Sequence, residues 1–189
     1  MPTKTQTDHA SQPALLNLLP LLGHNELTAA AQVVRGGGLI VYPTDTVWGL
    51  GCDATNPTAV KSLRDLKGKP ADVPLIWLLP SLKAVAQYCG EIEPAARKLL
   101  LKPHTTVVVN GQSVRVVRHG WVNKLLTRCG VPLVATSANH HGQPTVISWR
   151  AAVREFGDAV TVIKGRKIYH HRPSRVVAIQ DGQTTLIRE

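Results

Sequence analysis

Short apolar runs alternate along the chain with segments in which apolar residues recur at helical spacing. The runs at 39–43, 75–79, 105–109, 113–117, 132–136, 159–163, 175–179 and 184–188 predict strands. Asn110-Gly111 stands between two of these runs, which is typical of a hairpin. Asp181-Gly182 stands between the last two, so a second turn is predicted there.

Helices are predicted between these strands from their capping residues. Asn25 begins a helix to about residue 35, and the glycines at 36–38 end it. Asn56-Pro57 begins a second helix to about residue 66. Further helices are predicted over 81–88, 94–101, 121–128 and 148–156. Strands and helices alternate, but hairpins interrupt the alternation, which favours a mixed α/β sheet over a purely parallel one.

Length and composition indicate one folded domain. The chain has 189 residues, and ~100–200 residues is the usual size of a domain. Hydrophobic residues make up 43% and charged residues 18%, which argues against a disordered chain. Residues 1–24 are polar and then leucine-rich, and they are predicted to be a tail before a domain at 25–189. No apolar run reaches the ~20 residues of a membrane span.

The charge and the cysteines narrow the class of protein further. The net charge of +10 indicates anionic partners such as nucleic acid or a nucleotide, although a merely basic surface explains it equally well. Cys52, Cys89 and Cys129 lack CxxC spacing, so a disulfide framework and a structural zinc site are both disfavoured. The N-terminus lacks the pattern of a signal peptide, and we expect a cytoplasmic protein.

Two polar segments follow predicted strands, where ligands bind in open α/β sheets. The segment PTDTVWGLGCD (43–53) offers Thr44, Asp45 and Thr46 beside glycines that allow close approach of a ligand. The segment VATSANHHGQP (134–144) offers hydroxyls and an amide, and its successive backbone amides could bind an anion. Ordinary polar turns explain both segments as well.

Basic residues occur at two further positions of interest. Lys67 and Lys69 flank a glycine in LKGKPADVPL (66–75), and we expect an exposed, proline-stiffened loop whose lysines suit a polyphosphate. Lysines also favour a helix C-terminus through its dipole. Arg115 stands between valines of a strand, so it either faces solvent or reaches into a site to bind a carboxylate or phosphate.

Other common sites are disfavoured. The histidine pairs at 140–141 and 170–171 come without HxH or HExxH spacing, so no dedicated metal site is predicted. Cys52 has no histidine placed by sequence as its base and is expected to be a buried, inert thiol. Neither GxxxxGK[ST] nor GxGxxG occurs, so a nucleotide would be bound by neither common phosphate loop.

In combination, these segments resemble the YrdC-like family of threonylcarbamoyl-AMP synthases. The order of the motifs carries the resemblance: GGLIVYPTDTVWGLGCDA, then a helix, KGKP, SVRV, PLVATSAN and a late PS, from about residue 26 to 188. The chain is similar to the short, single-domain form. The resemblance implies an α/β fold with an open, twisted, mixed sheet, flanking helices and a basic concave face.

The resemblance also implies a reaction. L-threonine, bicarbonate and ATP, with Mg²⁺, would give threonylcarbamoyl-adenylate and pyrophosphate. The product would supply threonylcarbamoyl transferase proteins that modify adenosine 37 of tRNA. Positioning and charge stabilisation explain such a reaction without a covalent nucleophile, so no catalytic side chain is assigned.

Site residues follow from the matching motifs. The L-threonine pocket implied by the resemblance comprises Thr44, Thr46, Arg115 and Ser174. The ATP site implied by the resemblance comprises Lys67, Lys69, Thr105, Ser137, Asn139 and Arg188.

The chain departs from the family's motifs at several positions. Lys69 stands where arginine is usual, so a point charge replaces a bidentate phosphate contact. Lys102-Pro103-His104 stands where the family has PGP, Val117 where it has proline, and Arg175 where it has threonine. These departures bear on ATP affinity and turnover more than on the fold.

Two other functions remain open at this point. A YrdC-like protein that binds double-stranded RNA or tRNA in ribosome or tRNA biogenesis, with weak or lost synthase activity, fits the charge and the Lys69 departure. With few aromatics, its binding would depend on shape and phosphates. A carbamoyl-adenylate domain that serves another acceptor ranks last, because such domains usually belong to larger proteins.

Overall fold

The computed structural model describes residues 24–70, 73–165, 174–180 and 183–188. Nearly all of the predicted tail at 1–24 and the predicted Asp181-Gly182 turn lie outside these residues. The strands are β1 Ile40–Pro43, β2 Trp48–Asp53, β3 Ile76–Leu79, β4 Thr105–Val109, β5 Gln112–Val116, β6 Leu133–Ser137, β7 Thr161–Val162, β8 Arg175–Gln180 and β9 Gln183–Arg188.

Most helices begin at or next to the predicted residue, but the first begins at His24, so Asn25, the predicted cap, lies within the helix. They are α1 His24–Arg35, α2 Pro57–Lys67, α3 Leu82–Cys89, α4 Pro94–Leu100, α5 Gly120–Cys129 and α6 Trp149–Phe156. The side chain of Asn56 accepts a hydrogen bond from the amide of Ala59, which satisfies one free donor in the first turn of α2. Ser81 and Ser148 do the same for α3 and α6.

The described strands form one mixed sheet in the order β7-β1-β2-β6-β3-β5-β4-β8-β9. The pairs β1–β7, β3–β5 and β4–β8 are parallel, and the other neighbouring pairs are antiparallel. The mixed α/β fold predicted from interrupted alternation is therefore confirmed. The β4–β5 hairpin turns at Asn110, whose φ of 47° is in the left-handed region.

Strand β2 is the main element that the hydrophobic pattern did not predict. Its residues, WGLGCD, belong to the polar segment 43–53, for which no strand is predicted, but they pair with β1 and β6 within the sheet. Its two glycines lower strand propensity, and burial on both faces outweighs that propensity. The predicted strand at 159–163 is shorter than expected, because a 3₁₀ turn at Gly157–Ala159 precedes β7.

Helices cover the two faces of the sheet unequally. On one face, α2 and α6 pack over β1, β2 and β6, and α3 and α4 pack over β4 and β5. On the other face, α1 and α5 pack over β1, β3 and β6 through residues such as Ile40 and Leu133. The remainder of this second face, across β3, β5, β4 and β8, borders an open cleft.

Gly51 offers a test of how closely the central strands approach. A Cβ atom at this position would lie 2.4 Å from the carbonyl oxygen of Val134 on β6, and backbone cannot move aside cheaply. We expect Gly51→Ala to lower the free energy of unfolding by about 3 kcal/mol, measured by urea denaturation. Gly36→Ala is the matched control, because its nearest neighbour, the carbonyl oxygen of Gln32, would lie 3.3 Å away. Equal unfolding midpoints for the two variants would contradict the close approach.

Candidate functional site

A cleft of about 680 Å³ lies on the open face of the sheet. Alternate residues of the strands form its floor, because successive side chains of a strand point to opposite faces. The floor residues are Ile76, Leu78, Val108, Ser113, Arg115 and Val176. Their neighbours in sequence, such as Val107 and Val114, pack under helices on the opposite face.

The structure brings nearly all of the predicted site residues together around this cleft. The residues predicted for L-threonine that line it are Thr44, Thr46, Arg115 and Ser174. The residues predicted for ATP that line it are Lys67, Lys69, Ser137, Asn139 and Arg188. The two groups come from segments as far apart in sequence as Thr44 and Arg188, and the fold brings both segments to one cleft.

Thr105 is the predicted site residue that the structure does not place in the cleft lining. It is 1% exposed, its hydroxyl donates to the carbonyl oxygen of Pro103 at 3.0 Å, and it accepts from Nε of Arg175 at 3.1 Å. The adjacent residue, Thr106, is fully buried and shares a 2.9 Å hydrogen bond with the hydroxyl of Ser174, which does line the cleft. Strand alternation could have identified Thr106, because it lies on the same face of β4 as Val108, a residue of the cleft floor.

The turn between β1 and β2 is built by Thr44. Its hydroxyl donates to the carbonyl oxygen of Val47 at 2.6 Å and accepts from the amides of Thr46 and Val47. The hydroxyls of Thr44 and Thr46 lie 3.1 Å apart, and Thr46 is 5% exposed. These bonds fix the shape of the turn, which presents both threonines to the cleft.

Arg115, Asp45 and His104 form a charged cluster beside this turn. Nη2 of Arg115 donates to Oδ2 of Asp45 at 2.6 Å. Nδ1 of His104 lies 3.4 Å from the same carboxylate oxygen and 3.4 Å from Nη2 of Arg115. The Arg115 side chain is only 10% exposed. Of the two alternatives for this arginine, it therefore reaches into the site and does not face solvent.

Lys67 is buried, so the expectation that it stands on an exposed loop is wrong. It ends α2, is 4% exposed, and donates from Nζ to the carbonyl oxygens of Ser137 and Asn139, both at 2.7 Å. A third bond, of 2.8 Å, reaches Oδ1 of Asn139. The hydrophobic pattern predicts that the helix ends one residue earlier. No local sequence pattern indicates that acceptors 70 residues away contact Lys67.

Asn139 links the segment after β6 to α2. Its Oδ1 accepts from Lys67 and, at 2.6 Å, from the hydroxyl of Ser137, while its Nδ2 donates to the carbonyl oxygen of Gln143. The amide of His141 donates to the carbonyl oxygen of Lys67 at 2.9 Å. The amides of Ala138 and Asn139 also donate to protein carbonyls, so these three amides do not form the anion-binding arrangement considered from the sequence.

Residues 32–189 match the profile of the Sua5-YciO-YrdC family, which carries the description telomere recombination. The threonylcarbamoyl-AMP synthase of Marinobacter nauticus is 34% identical over 178 residues, which cover 84% of this chain and 93% of that protein. The chain belongs to the Sua5-YciO-YrdC family. The threonylcarbamoyl-AMP synthase of Chromohalobacter salexigens is also similar, at 31% identity over 85% of this chain and 96% of its own.

Solved structures of the Sua5-YciO-YrdC family have the same fold. Sua5 of P. abyssi complexed with L-threonine is 30% identical, with a TM-score of 0.77 over 86% of this chain and 53% of that chain. This chain therefore spans about half the length of that Sua5 protein. E. coli YciO, at 21% identity, has a TM-score of 0.76 over 87% of this chain and 89% of its own, which shows likeness of fold.

Lys69 and Arg188 provide the more accessible positive charge in this family member's cleft. Nζ of Lys69 donates to the carbonyl oxygen of Pro74 at 3.3 Å, and Nη2 of Arg188 donates to that of Ser174 at 3.2 Å. Burial, and then the positive charges of Arg64 and Arg188, lower the pKa of Lys69. An anion bound between Lys69 and Arg188 would relieve this repulsion between like charges.

The same reasoning predicts the titration of Lys67. Burial, and then the charge of Lys69, lower the pKa of Lys67 from 10.5 to about 8. The unfolded chain therefore binds more protons between these two pH values, so the free energy of unfolding that this group contributes rises with pH through that window. We expect Lys69→Met to raise the pKa of Lys67 and the exposed Lys61→Met to leave it unchanged. NMR titration of the lysine side chains measures both, and equal Lys67 values would contradict the coupling.

Three further features of the described residues bear on the expectations from the sequence. Burial raises the pKa of the Cys52 thiol to about 12, in agreement with the inert thiol expected from the sequence. In the part of the chain that the structure describes, no group of three or more His, Cys, Asp or Glu residues is placed to hold a metal ion. No helix among the described residues is long and apolar enough to cross a membrane.

Proposed function

We propose that this chain is an L-threonylcarbamoyladenylate synthase, a nucleotidyltransferase that makes threonylcarbamoyl-AMP and pyrophosphate from L-threonine, bicarbonate and ATP. The observation that carries the proposal is the single cleft lined both by the Thr44 turn with Arg115 and by the Ser137–Asn139 segment with two lysines. The relatives named threonylcarbamoyl-AMP synthase match nearly their whole length, which supports the same activity here.

L-threonine would bind in the cleft at the Thr44 turn. Arg115 keeps N–H groups beyond the one bonded to Asp45, and its planar fork suits the α-carboxylate. The hydroxyls of Thr44, Thr46 and Ser174 would surround the substrate side chain. Ser174 is held in place by Thr106, which makes Thr106 a supporting residue of this pocket.

ATP would bind beside L-threonine in the same cleft. Lys69 and Arg188 would contact its phosphates, and Ser137 and Asn139 would line the nucleotide site. Lys67 would act mainly by holding the Ser137–Asn139 segment, since its donors already have protein acceptors. Thr105 would act indirectly, by holding Arg175.

The proposed reaction requires that its substrates are positioned and that the charge on the phosphates is stabilised. A carbamate formed on the threonine nitrogen would attack the α-phosphate of ATP in line, and pyrophosphate would leave. Lysines and arginine would stabilise the charge on the phosphates in a partly water-excluded site. Among the described residues that line the cleft, the one carboxylate is Asp45, already bonded to Arg115, so Mg²⁺ would enter as part of the ATP substrate.

The product would pass to threonylcarbamoyl transferase proteins that modify tRNA in the cytoplasm. The basic charge of the chain suits transient contact with tRNA, and this contact would be sensitive to salt. A protein that only binds RNA would not require one cleft that combines side chains for binding a nucleotide with side chains for binding an amino acid. The RNA-binding alternative therefore has less support.

Pyrophosphate release tests the proposal. Purified protein with ATP, Mg²⁺ and bicarbonate is assayed with L-threonine, with L-serine and without amino acid. We expect release that needs both L-threonine and bicarbonate. A folded protein that releases no pyrophosphate under these conditions, yet binds tRNA with steep salt dependence, would overturn the synthase assignment in favour of RNA binding.

A further inference from the structure

The cluster of Asp45, His104 and Arg115 presents opposite charges side by side at the cleft. Arg115 is nearly buried, whereas the side chains of Asp45 and His104 are 52% and 53% exposed. Asp45 and Arg115 line the cleft. His104 does not line the cleft. Its Nδ1 contacts the two residues that do, Asp45 and Arg115.

A cluster of this kind fits the zwitterion of a free amino acid. The α-carboxylate would bind the remaining N–H groups of Arg115, and the α-ammonium would bind the carboxylate of Asp45. The 2.6 Å bond between Asp45 and Arg115 fixes the spacing of the two charges before the substrate arrives. Such prior positioning reduces the entropy cost of binding.

The proposed reaction needs the amino group in its neutral form. An ammonium nitrogen has no lone pair, so it cannot form the N–C bond of a carbamate until it loses a proton. Asp45 by itself would favour the ammonium, because a neighbouring opposite charge favours the charged form. A second group must therefore take the proton.

His104 is placed to take it. When the ring is neutral with the lone pair on Nδ1, this atom accepts from Nη2 of Arg115, and when Nδ1 is protonated, it donates to Oδ2 of Asp45. The same ring position thus has a partner in either protonation state. The half-exposed ring allows the proton to pass on to solvent.

The backbone at His104 also indicates a specific placement. Its φ of 50° lies in the left-handed region, which is uncommon for residues other than glycine. Its carbonyl oxygen accepts from the amide of Arg175 on β8 at 3.1 Å, which helps to hold this conformation. Strained residues of this kind occur frequently at functional sites.

From this geometry we infer that Asp45 and His104 together deprotonate the amino group of the bound amino acid, an assignment that rests on the proposed function. Asp45 binds the ammonium, and His104 receives the proton by way of the Asp45 carboxylate. The neutral amine then forms the N–C bond with the bicarbonate carbon, a C–O bond of bicarbonate breaks, and water leaves with a second amine proton. Protonated His104 returns its proton to solvent.

Charged residues from three elements of the fold contact His104. Asp45 on the β1–β2 turn and Arg115 on β5 lie within 3.4 Å of its ring. Arg175 on β8 contacts its backbone and bonds to the hydroxyl of the next residue, Thr105.

The pH profile of threonine-dependent pyrophosphate release tests the assignment. His104→Asn is the main variant, because asparagine tolerates a positive φ, keeps a polar group and does not titrate near neutral pH. At saturating L-threonine we expect its kcat near pH 7 to fall by about a hundredfold or more. We expect that loss to shrink about tenfold for each pH unit upward, as the amine form of free threonine replaces the lost proton acceptor. L-Threonine affinity, measured by calorimetry, should stay close to that of the wild type.

Two further variants separate proton transfer from structure. His104→Gly leaves space for a small base and suits a positive φ, so added imidazole should restore part of its activity. His119→Asn is the matched control, since His119 is exposed before α5 and its side chain makes no capping bond. It should keep the wild-type pH profile.

The outcomes distinguish this assignment from the proposed function. An active wild-type protein with an unchanged rate and pH profile in His104→Asn would overturn the role of His104 alone. Equal losses at every pH without imidazole rescue would assign His104 a structural role and overturn the proton transfer. A wild-type protein without threonine-dependent release would overturn the proposed function and the assignment that rests on it.

Discussion

Replacing Lys67 with alanine is expected to reduce ATP-dependent pyrophosphate release by about a hundredfold or more and to destabilise the protein. Three donor contacts from Nζ hold both backbone and side-chain acceptors of the Ser137–Asn139 segment against the end of α2. Their removal takes the lysine donor from the carbonyl oxygen of Asn139 and one of two donors from each of the other acceptors, and it releases the segment from its position in the cleft. We expect the free energy of unfolding to fall by about 2 kcal/mol.

Two comparison variants define the cause of the Lys67 effect. Lys67→Met keeps the aliphatic volume and removes the donors, so it should lose turnover nearly as strongly as alanine. Lys61→Ala, on the same helix, removes an exposed pair with Asp65 and should change stability by no more than about 0.5 kcal/mol. Activity and urea denaturation are measured on the same preparations. Wild-type turnover in Lys67→Met would refute the role of its hydrogen bonds.

Replacing Arg115 with alanine is expected to remove most of the affinity for L-threonine. The variant loses the proposed partner of the substrate carboxylate and leaves Asp45 without the bond that positions it. We expect affinity to fall by about a hundredfold or more, equivalent to about 3 kcal/mol. Isothermal titration with L-threonine measures the change.

Nucleotide binding and a charge-preserving variant serve as controls for Arg115. ATP affinity should change little in Arg115→Ala, because the proposed phosphate contacts lie with Lys69 and Arg188. Arg115→Lys should recover only part of the threonine affinity, since lysine provides charge without the planar fork. Arg118→Ala, at an exposed position on the same segment, should bind L-threonine as the wild type does. Unchanged threonine affinity in Arg115→Ala would contradict its place in the pocket.

The sequence predicted most elements but underestimated the sheet. Apolar runs and caps located α2, the β4–β5 hairpin and β8–β9 to within a residue or two. Strand β2 escaped the prediction, because WGLGCD has neither strict alternation nor a β-branched run. Its pairing with β1 and β6 depends on partners distant in sequence, which local propensity does not register.

The motifs located the site correctly, but they predicted the roles of individual residues less well. The resemblance selected residues nearly all of which meet in one cleft, but it treated Thr105 as a direct contact. The prolines and glycine of segment 66–75 predicted an exposed loop for Lys67, which is buried. Burial of Lys67 follows from where the Ser137–Asn139 segment crosses the end of α2. The placement of Thr105 follows from the pleat of β4, which turns Thr106 toward Ser174 instead.

The mixed α/β class, the approximate bounds of the helices and the segments that carry chemistry can be predicted from sequence, because caps, turns and apolar periodicity act over a few residues. Only the fold shows which donors are already paired, that Thr106 rather than Thr105 contacts Ser174, and that His104 lies beside Asp45 and Arg115. Those facts depend on strand order and register, which bring together residues about 70 positions apart. Contacts of that range arise from the packing of the whole sheet, and no local pattern encodes them.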